Sequence, residues 1–185
     1  MTGPVYVLAD TSGSTVRDGF HEGLHLALPH LVRLAEDQGL DTRICLASYG
    51  DDATLQVPLI GARDLTMIPR MPAGGLSSLA AGLRMLVRVV SHDLRQLRSD
   101  GITTGRPVTL VVAHGLPTDR DQQVLAAREP LDSDLHVVAP LGEDHLAFAA
   151  LAATLHPMRT GIAGRVARSV IEAARRAWAG SGGSQ

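Results

Sequence analysis

Short apolar runs alternate with longer amphipathic segments along the chain. The runs "PVYVLAD" (4–10), "RPVTLVVAHG" (106–115) and "DLHVVAPLG" (134–142) are continuous and bounded by turn residues, which predicts strands that are buried on both faces. The runs at 42–50 and 53–60 are separated only by the tight turn "GDD". That spacing predicts an antiparallel hairpin.

The amphipathic segments predict helices. Residues 16–39 carry apolar side chains at helical spacing, and Pro29 inside them should kink or interrupt the helix because proline lacks a donor and clashes with the preceding turn. Residues 77–97 read as a long helix that begins at a serine cap. Residues 143–155 and 164–180 predict two further helices, with a short strand between them near 156–160.

Buried strands that alternate with helices indicate a doubly wound α/β fold. We expect about six strands in a mostly parallel sheet with helices on both faces, and one antiparallel edge strand at residues 54–60. Residues 1–179 are expected to form one domain, with residues 180–185, "GSGGSQ", as a flexible tail.

Composition narrows the classes of function. The sequence is 45% hydrophobic with a mean hydropathy of +0.11, which favours a folded aliphatic core over disorder. The net charge of -2 and the scattered arginines give no reason to expect a nucleic-acid partner. No leader and no membrane-spanning stretch is recognised, so we expect a cytoplasmic protein. The single Cys45 excludes a disulfide framework and is expected to be a small buried thiol.

A carboxylate and two hydroxyls follow the first predicted strand. In "DTSGS", Asp10, Ser12 and Ser14 lie on one loop in which Gly13 permits a sharp turn. Carboxylate, hydroxyl and water oxygens suit Mg²⁺, which prefers octahedral oxygen ligands. The alternative is an ordinary helix cap, since Ser and Thr commonly precede an apolar helix.

Three ordered motifs resemble the von Willebrand factor A (vWA) family and its metal-ion-dependent adhesion site. They are "DTSGS" after the first strand, "PAGGLSSLAAGL" at 72–83, and "TLVVAHGLPTDRD" at 109–121. The "GLPTDR" ending is most similar to the bacterial tellurite-resistance (TerY-like) branch. The resemblance covers residues 4–160 in element order, and it implies a vWA fold.

The resemblance also implies a role for each matching residue. Ser12 and Ser14 fall at the positions that contact the metal directly, Asp10 at the position that holds it through water, and Ser77 at the position of a second-loop threonine, with Ser78 as an alternative. His114 stands where the family has an aspartate, so the implied site has lost a negative charge. Weak Mg²⁺ binding, a different preferred metal and an empty site all remain open, and we expect Mg²⁺ binding to be weak or absent.

The resemblance implies a protein-interaction module and not an enzyme. In this family a partner's acidic side chain completes the metal site, and many bacterial members act as intracellular scaffolds. The alternative is a hydrolase that uses Ser12 as nucleophile with His114 and Asp10. The chain has no G-x-S-x-G motif, and with no lysine it cannot carry a nucleotide-binding P-loop.

Two other groups of residues are weaker candidates for a functional site. Asp119 could lie at the rim of the site, although turn chemistry explains Pro-Thr-Asp equally well. The segment "HEGLH" at 21–25 places two histidines four residues apart, as in zinc proteases. Because the rest of a protease is lacking, we interpret this segment as part of the first crossover helix.

Overall fold

The computed structural model describes residues 3–16, 18–37, 42–142, 148–151 and 154–181. Its strands form one six-stranded sheet in the order β3-β2-β1-β4-β5-β6. The strands are β1 (Val5–Asp10), β2 (Arg43–Tyr49), β3 (Ala53–Gly61), β4 (Val108–Val112), β5 (Asp134–Pro140) and β6 (Thr154–Met158). The α-helices are α1 (Phe20–Asp37), α2 (Leu79–Ser99), α3 (Asp121–Arg128) and α4 (Ala163–Ser181). The predicted α/β fold class is therefore confirmed.

The strand pairing is parallel except at one edge. β1 pairs in parallel with β2 and β4, and the parallel arrangement continues through β5 to β6. β3 pairs antiparallel with β2 after the predicted "GDD" turn, which confirms the expected antiparallel edge strand. Both edge strands contain a proline, Pro58 in β3 and Pro157 in β6, which discourages pairing with a further strand.

The sheet is covered on both faces, and each face has its own apolar core. Alternating side chains of β1 belong to opposite cores because successive strand residues point to opposite faces. Val7 belongs to the core that includes side chains of α1 and α4, whereas Leu8 belongs to the core that includes side chains of α2 and α3. Cys45 lies in the second core, fully buried, and burial raises the pKa of its thiol to about 12. It is an inert core residue, as expected.

The prediction that Pro29 interrupts the first helix is wrong. α1 runs without a break from Phe20 to Asp37 with Pro29 inside it. Pro29 is exposed, whereas Leu24, Leu28 and Leu31 on the opposite side are fully buried. Burial of that apolar face outweighs one lost hydrogen bond, which falls on the solvent side of the helix.

The first helix also begins later than predicted. Residues Gly13–Val16 form a separate 3-10 helix within the loop that follows β1. The helix predicted over 143–155 lies partly outside the described residues; Phe148–Leu151 form a turn, and Thr154 already belongs to β6. The predicted strand near 156–160 is present at Thr154–Met158.

Within the described ranges, no helix is long and apolar enough to cross a membrane. The helix α4 continues through Ser181, two residues past the predicted end of the domain. Residues 182–185 of the predicted tail lie outside the described residues.

Candidate functional site

The loops that carry the predicted site residues meet at the carboxyl edge of the sheet. Backbone hydrogen bonds join them directly: the amide of Gly13 donates to the carbonyl of Gly75 over 3.0 Å, and the amide of Thr118 donates to the carbonyl of Ser77 over 2.8 Å. Gly75 has a φ of +72°, which favours glycine, and a side chain there would collide with the Asp51 carboxylate. The segment 74–78 is therefore held between the first and third loops.

Asp10 lies at the centre of the site and is 1% exposed. Its Oδ1 accepts a hydrogen bond from the backbone amide of Ser12 over 2.8 Å. Its Oδ2 accepts hydrogen bonds from the Ser77 hydroxyl over 3.2 Å and from the backbone amide of His114 over 3.3 Å. Both oxygens of this buried carboxylate therefore have donors within the protein, which compensates the cost of burying its charge.

A second chain of contacts runs outward from Ser12 to the surface. The Ser12 and Ser14 hydroxyl oxygens are 3.2 Å apart, and the Ser14 oxygen is 3.1 Å from Nδ1 of His114. Nε2 of His114 lies 3.4 Å from a carboxylate oxygen of Asp18. The edge of the Phe20 ring contacts the imidazole, with the centroids 5.2 Å apart. His114 is thus held between two loop side chains and the start of α1.

The two second-loop serines have different roles. Ser77 is buried and contacts Asp10 as described, whereas Ser78 caps α2, its hydroxyl accepting from the amide of Ala81 over 3.3 Å. Ser78 also donates to Asp119 over 2.9 Å, and the other oxygen of Asp119 accepts from the amide of Ala80 over 2.9 Å. Ser77 thus faces the predicted site, and Asp119 stabilises the start of α2 in the manner of a helix cap.

The sequence reasoning missed two residues at the site, Asp18 and Tyr49. Tyr49 is fully buried at the end of β2, in register with Asp10 on β1. Burial raises the pKa of its phenol well above the usual value, and the charge of Asp10 raises it further. The signal was available, because a polar aromatic residue that ends a buried strand points its hydroxyl at the same edge as Asp10.

Exposed apolar side chains lie in the loops at the same edge of the sheet as this polar centre. Five large hydrophobic residues in the loops of the carboxyl edge are each between 52% and 61% exposed; they are Val16, Leu76, Leu116, Leu141 and Ile162. Val16 follows β1, Leu76 precedes α2, and the other three follow β4, β5 and β6. We call these five residues the apolar rim. Exposed apolar groups around a polar centre are typical of protein-interaction surfaces.

The charge at this edge is mainly negative. Among the described residues of the edge loops, four aspartates, Asp18, Asp51, Asp52 and Asp119, are balanced only by Arg120 and Arg159. In the part of the chain that the structure describes, no group of three or more His, Cys, Asp or Glu side chains is placed to hold a metal ion. The predicted site consists mainly of hydroxyls around one carboxylate.

Solved structures similar to this chain include a pilus adhesin and vWA proteins. The pilus adhesin SpaC from Lactobacillus rhamnosus GG in its open conformation is similar with a TM-score of 0.76 and 11% identity, over 97% of this chain and 30% of that one. The von Willebrand factor type A protein from Catenulispora acidiphila has a TM-score of 0.65 and 12% identity, over 96% and 43% of the two chains. The ArnB paralog VWA2 from Sulfolobus acidocaldarius has a TM-score of 0.60 and 18% identity, over 93% and 45%.

These likenesses show the vWA fold. The chain spans less than half the length of each of the three solved proteins. No family model matches the sequence, and no curated protein matches it.

Proposed function

We propose that this chain is a protein-interaction domain that binds its partner through the loops at the carboxyl edge of the sheet. The apolar rim carries this proposal, because five exposed apolar side chains lie in the loops at the edge that holds the polar centre of a vWA-like fold. The "GLPTDR" motif further supports an intracellular scaffold similar to the bacterial tellurite-resistance branch.

We further propose that this binding needs no Mg²⁺. The residues present fit the ion poorly, since both oxygens of Asp10 already accept hydrogen bonds from protein donors. The imidazole of His114 lies against the Ser14 hydroxyl, where the family resemblance implies a carboxylate. Mg²⁺ prefers oxygen to nitrogen ligands, and its attraction to a site falls with each lost anion.

The charge of the edge suggests the chemistry of the partner. With a bound ion, an acidic side chain of a partner would complete the metal site, as the resemblance implied. Without the ion, the excess of aspartates repels acids and attracts Arg or Lys. The partner we propose therefore presents apolar side chains flanked by basic ones.

Affinity capture from host extract with rim variants tests this proposal. The partner should bind the native chain equally well in EDTA and in Mg²⁺, and it should be lost with Leu116→Asp. Ile102→Asp is the matched control, because Ile102 is also exposed but lies beyond the end of α2 at the opposite edge. Capture that requires Mg²⁺, or that survives Leu116→Asp, would contradict the proposal.

A hydrolase is the second candidate, and the chain of contacts through Ser14, His114 and Asp18 is the observation in its favour. The trio proposed from sequence is arranged differently: the hydroxyl of Ser12 contacts Ser14, and Asp10 bonds the His114 amide and not its ring. In this version the nucleophile is Ser14. Hydrolysis of a nitrophenyl ester that disappears in Ser14→Ala would support the enzyme, whereas equal rates in both proteins would exclude it.

A further inference from the structure

Two histidines on α1 have ring nitrogens that are buried and lack a partner. Nδ1 of His21 and Nε2 of His25 are both inaccessible to solvent and make no hydrogen bond. They are two of the three such side-chain atoms among the described residues, the third being a hydroxyl oxygen of Thr42. A buried polar atom without a partner is costly, so a pair of them in adjacent side chains needs an explanation.

The two rings are neighbours on the helix surface. Residues four apart in a helix lie on the same face, and the ring centroids of His21 and His25 are 4.8 Å apart in an edge-to-face arrangement. In that arrangement the rings do not hydrogen-bond to each other. The pair His136 and His156 differs, because a nitrogen of one ring lies 3.1 Å from a nitrogen of the other and both are satisfied.

We propose that His21 and His25 together bind a transition-metal dication such as Zn²⁺ or Cu²⁺. Imidazole nitrogen is a favoured ligand of these ions, and Zn–N bonds of about 2.0–2.1 Å bring two rings at this separation within reach of one ion. Both rings are half-buried, and binding requires each side chain to rotate until its free nitrogen faces the ion. Water fills the remaining coordination positions.

Neighbouring charged side chains affect the histidine pair and an ion bound to it. Burial lowers the pKa of His25, and the neighbouring His21 and Arg70 lower it further. Glu22 acts in the opposite direction on His25 and attracts a cation. The proposed activity is ion binding and not peptide hydrolysis, because catalytic zinc sites use three protein ligands and this one has two.

Zinc uptake by the full chain at pH 7.5 tests the proposal by calorimetry. The native protein should bind one Zn²⁺, and His21→Gln or His25→Gln should each weaken binding by at least about tenfold. His30→Gln is the matched control, because His30 lies on the same helix and is exposed. Cu²⁺ bound at one equivalent should show two nitrogen ligands by electron paramagnetic resonance. Equal Zn²⁺ affinity in the native protein and the His21→Gln variant would overturn the proposal.

Two surface variants keep the test decisive if the histidine variants do not fold. Glu22 and Arg70 are both exposed, so neither replacement should disturb the core. Arg70→Gln should strengthen Zn²⁺ binding a few-fold by removing a repelling charge, and Glu22→Gln should weaken it similarly. Affinities that move in neither variant, or in the opposite sense, would show that no ion binds at this pair.

Discussion

Mild acid should destabilise this protein through the histidine pair between β5 and β6. His156 is 4% exposed, and its Nε2 lies 3.1 Å from Nδ1 of His136. One nitrogen donates and the other accepts, so the accepting ring must be neutral, and protonation of both rings would remove the bond and place two positive charges together. Burial, then the neighbouring His136, then Arg176 of α4 lower the pKa of His156 to about 4. Asp134 of β5 acts in the opposite sense on His136, whose pKa is nevertheless lowered by burial.

The sign and size of this loss of stability follow from the difference between the pKa of His156 in the folded chain and in the unfolded chain. An unfolded histidine titrates near pH 6.5, so between pH 6.5 and pH 4 the unfolded chain binds a proton at this residue that the folded chain does not. Stability is fully present above the unfolded pKa and falls as the pH drops through this window. Each pKa unit corresponds to about 1.4 kcal/mol, which gives a loss of about 2 kcal/mol between pH 7 and pH 5 and at most about 3 kcal/mol in total.

Urea unfolding of the native protein and of His156→Gln at pH 7 and pH 5 measures this effect. Glutamine does not titrate and can still hydrogen-bond to His136. The variant should lose about 2 kcal/mol less than the native protein between the two pH values, and His92→Gln, at an exposed position on α2, should behave as the native protein does. Equal pH dependence in the native protein and His156→Gln would refute the reasoning, since every other titrating group is common to both.

Three further predictions concern the helix, the loops and the metal. Pro29→Ala should stabilise the protein by about 1–3 kcal/mol, because alanine supplies an amide that can donate to the carbonyl of His25, as chemical denaturation would show. Gly75→Ala should cost about 1–3 kcal/mol, since φ is +72° there and the new methyl group collides with Asp51; thermal unfolding measures the loss. His114→Asp should introduce Mg²⁺ binding, seen as a rise in melting temperature with added MgCl₂ that the native protein lacks.

Each of these predictions has its own control. Gly101 also has a φ of +72°, but a Cβ there would meet no neighbouring atom, so Gly101→Ala should destabilise the protein less than Gly75→Ala. An equal loss of stability in both variants would show that the collision with Asp51 has no effect. If Pro29→Ala does not raise the free energy of unfolding, then Pro29 does not destabilise the helix. His114→Asp without any response to MgCl₂ would show that the loss of one carboxylate is not what weakens the site, and a strong response of the native protein would show that the site is intact.

The local pattern was sufficient to predict the strands and the antiparallel edge, but it did not predict helix α3 or the order of the strands in the sheet. Continuous apolar runs and the "GDD" turn predicted five strands and the antiparallel edge, because strand burial and turn chemistry depend on neighbouring residues, and the short sixth strand was predicted between two helical patterns. The same logic placed Asp10, Ser12, Ser14 and His114 at one edge, since loops that follow parallel strands share one edge, whereas Ser77 was predicted there only from the vWA resemblance.

Long-range packing decided what the local pattern could not. Pro29 is tolerated because of the core beneath α1, which no local rule includes. The imidazole of His114 faces Ser14 and Asp18, residues about a hundred positions away along the chain, and the pairing of His136 with His156 depends on the register of β5 and β6. A side chain's partners are set by the element packed against it, and that element is chosen by burial of apolar surface over the whole chain.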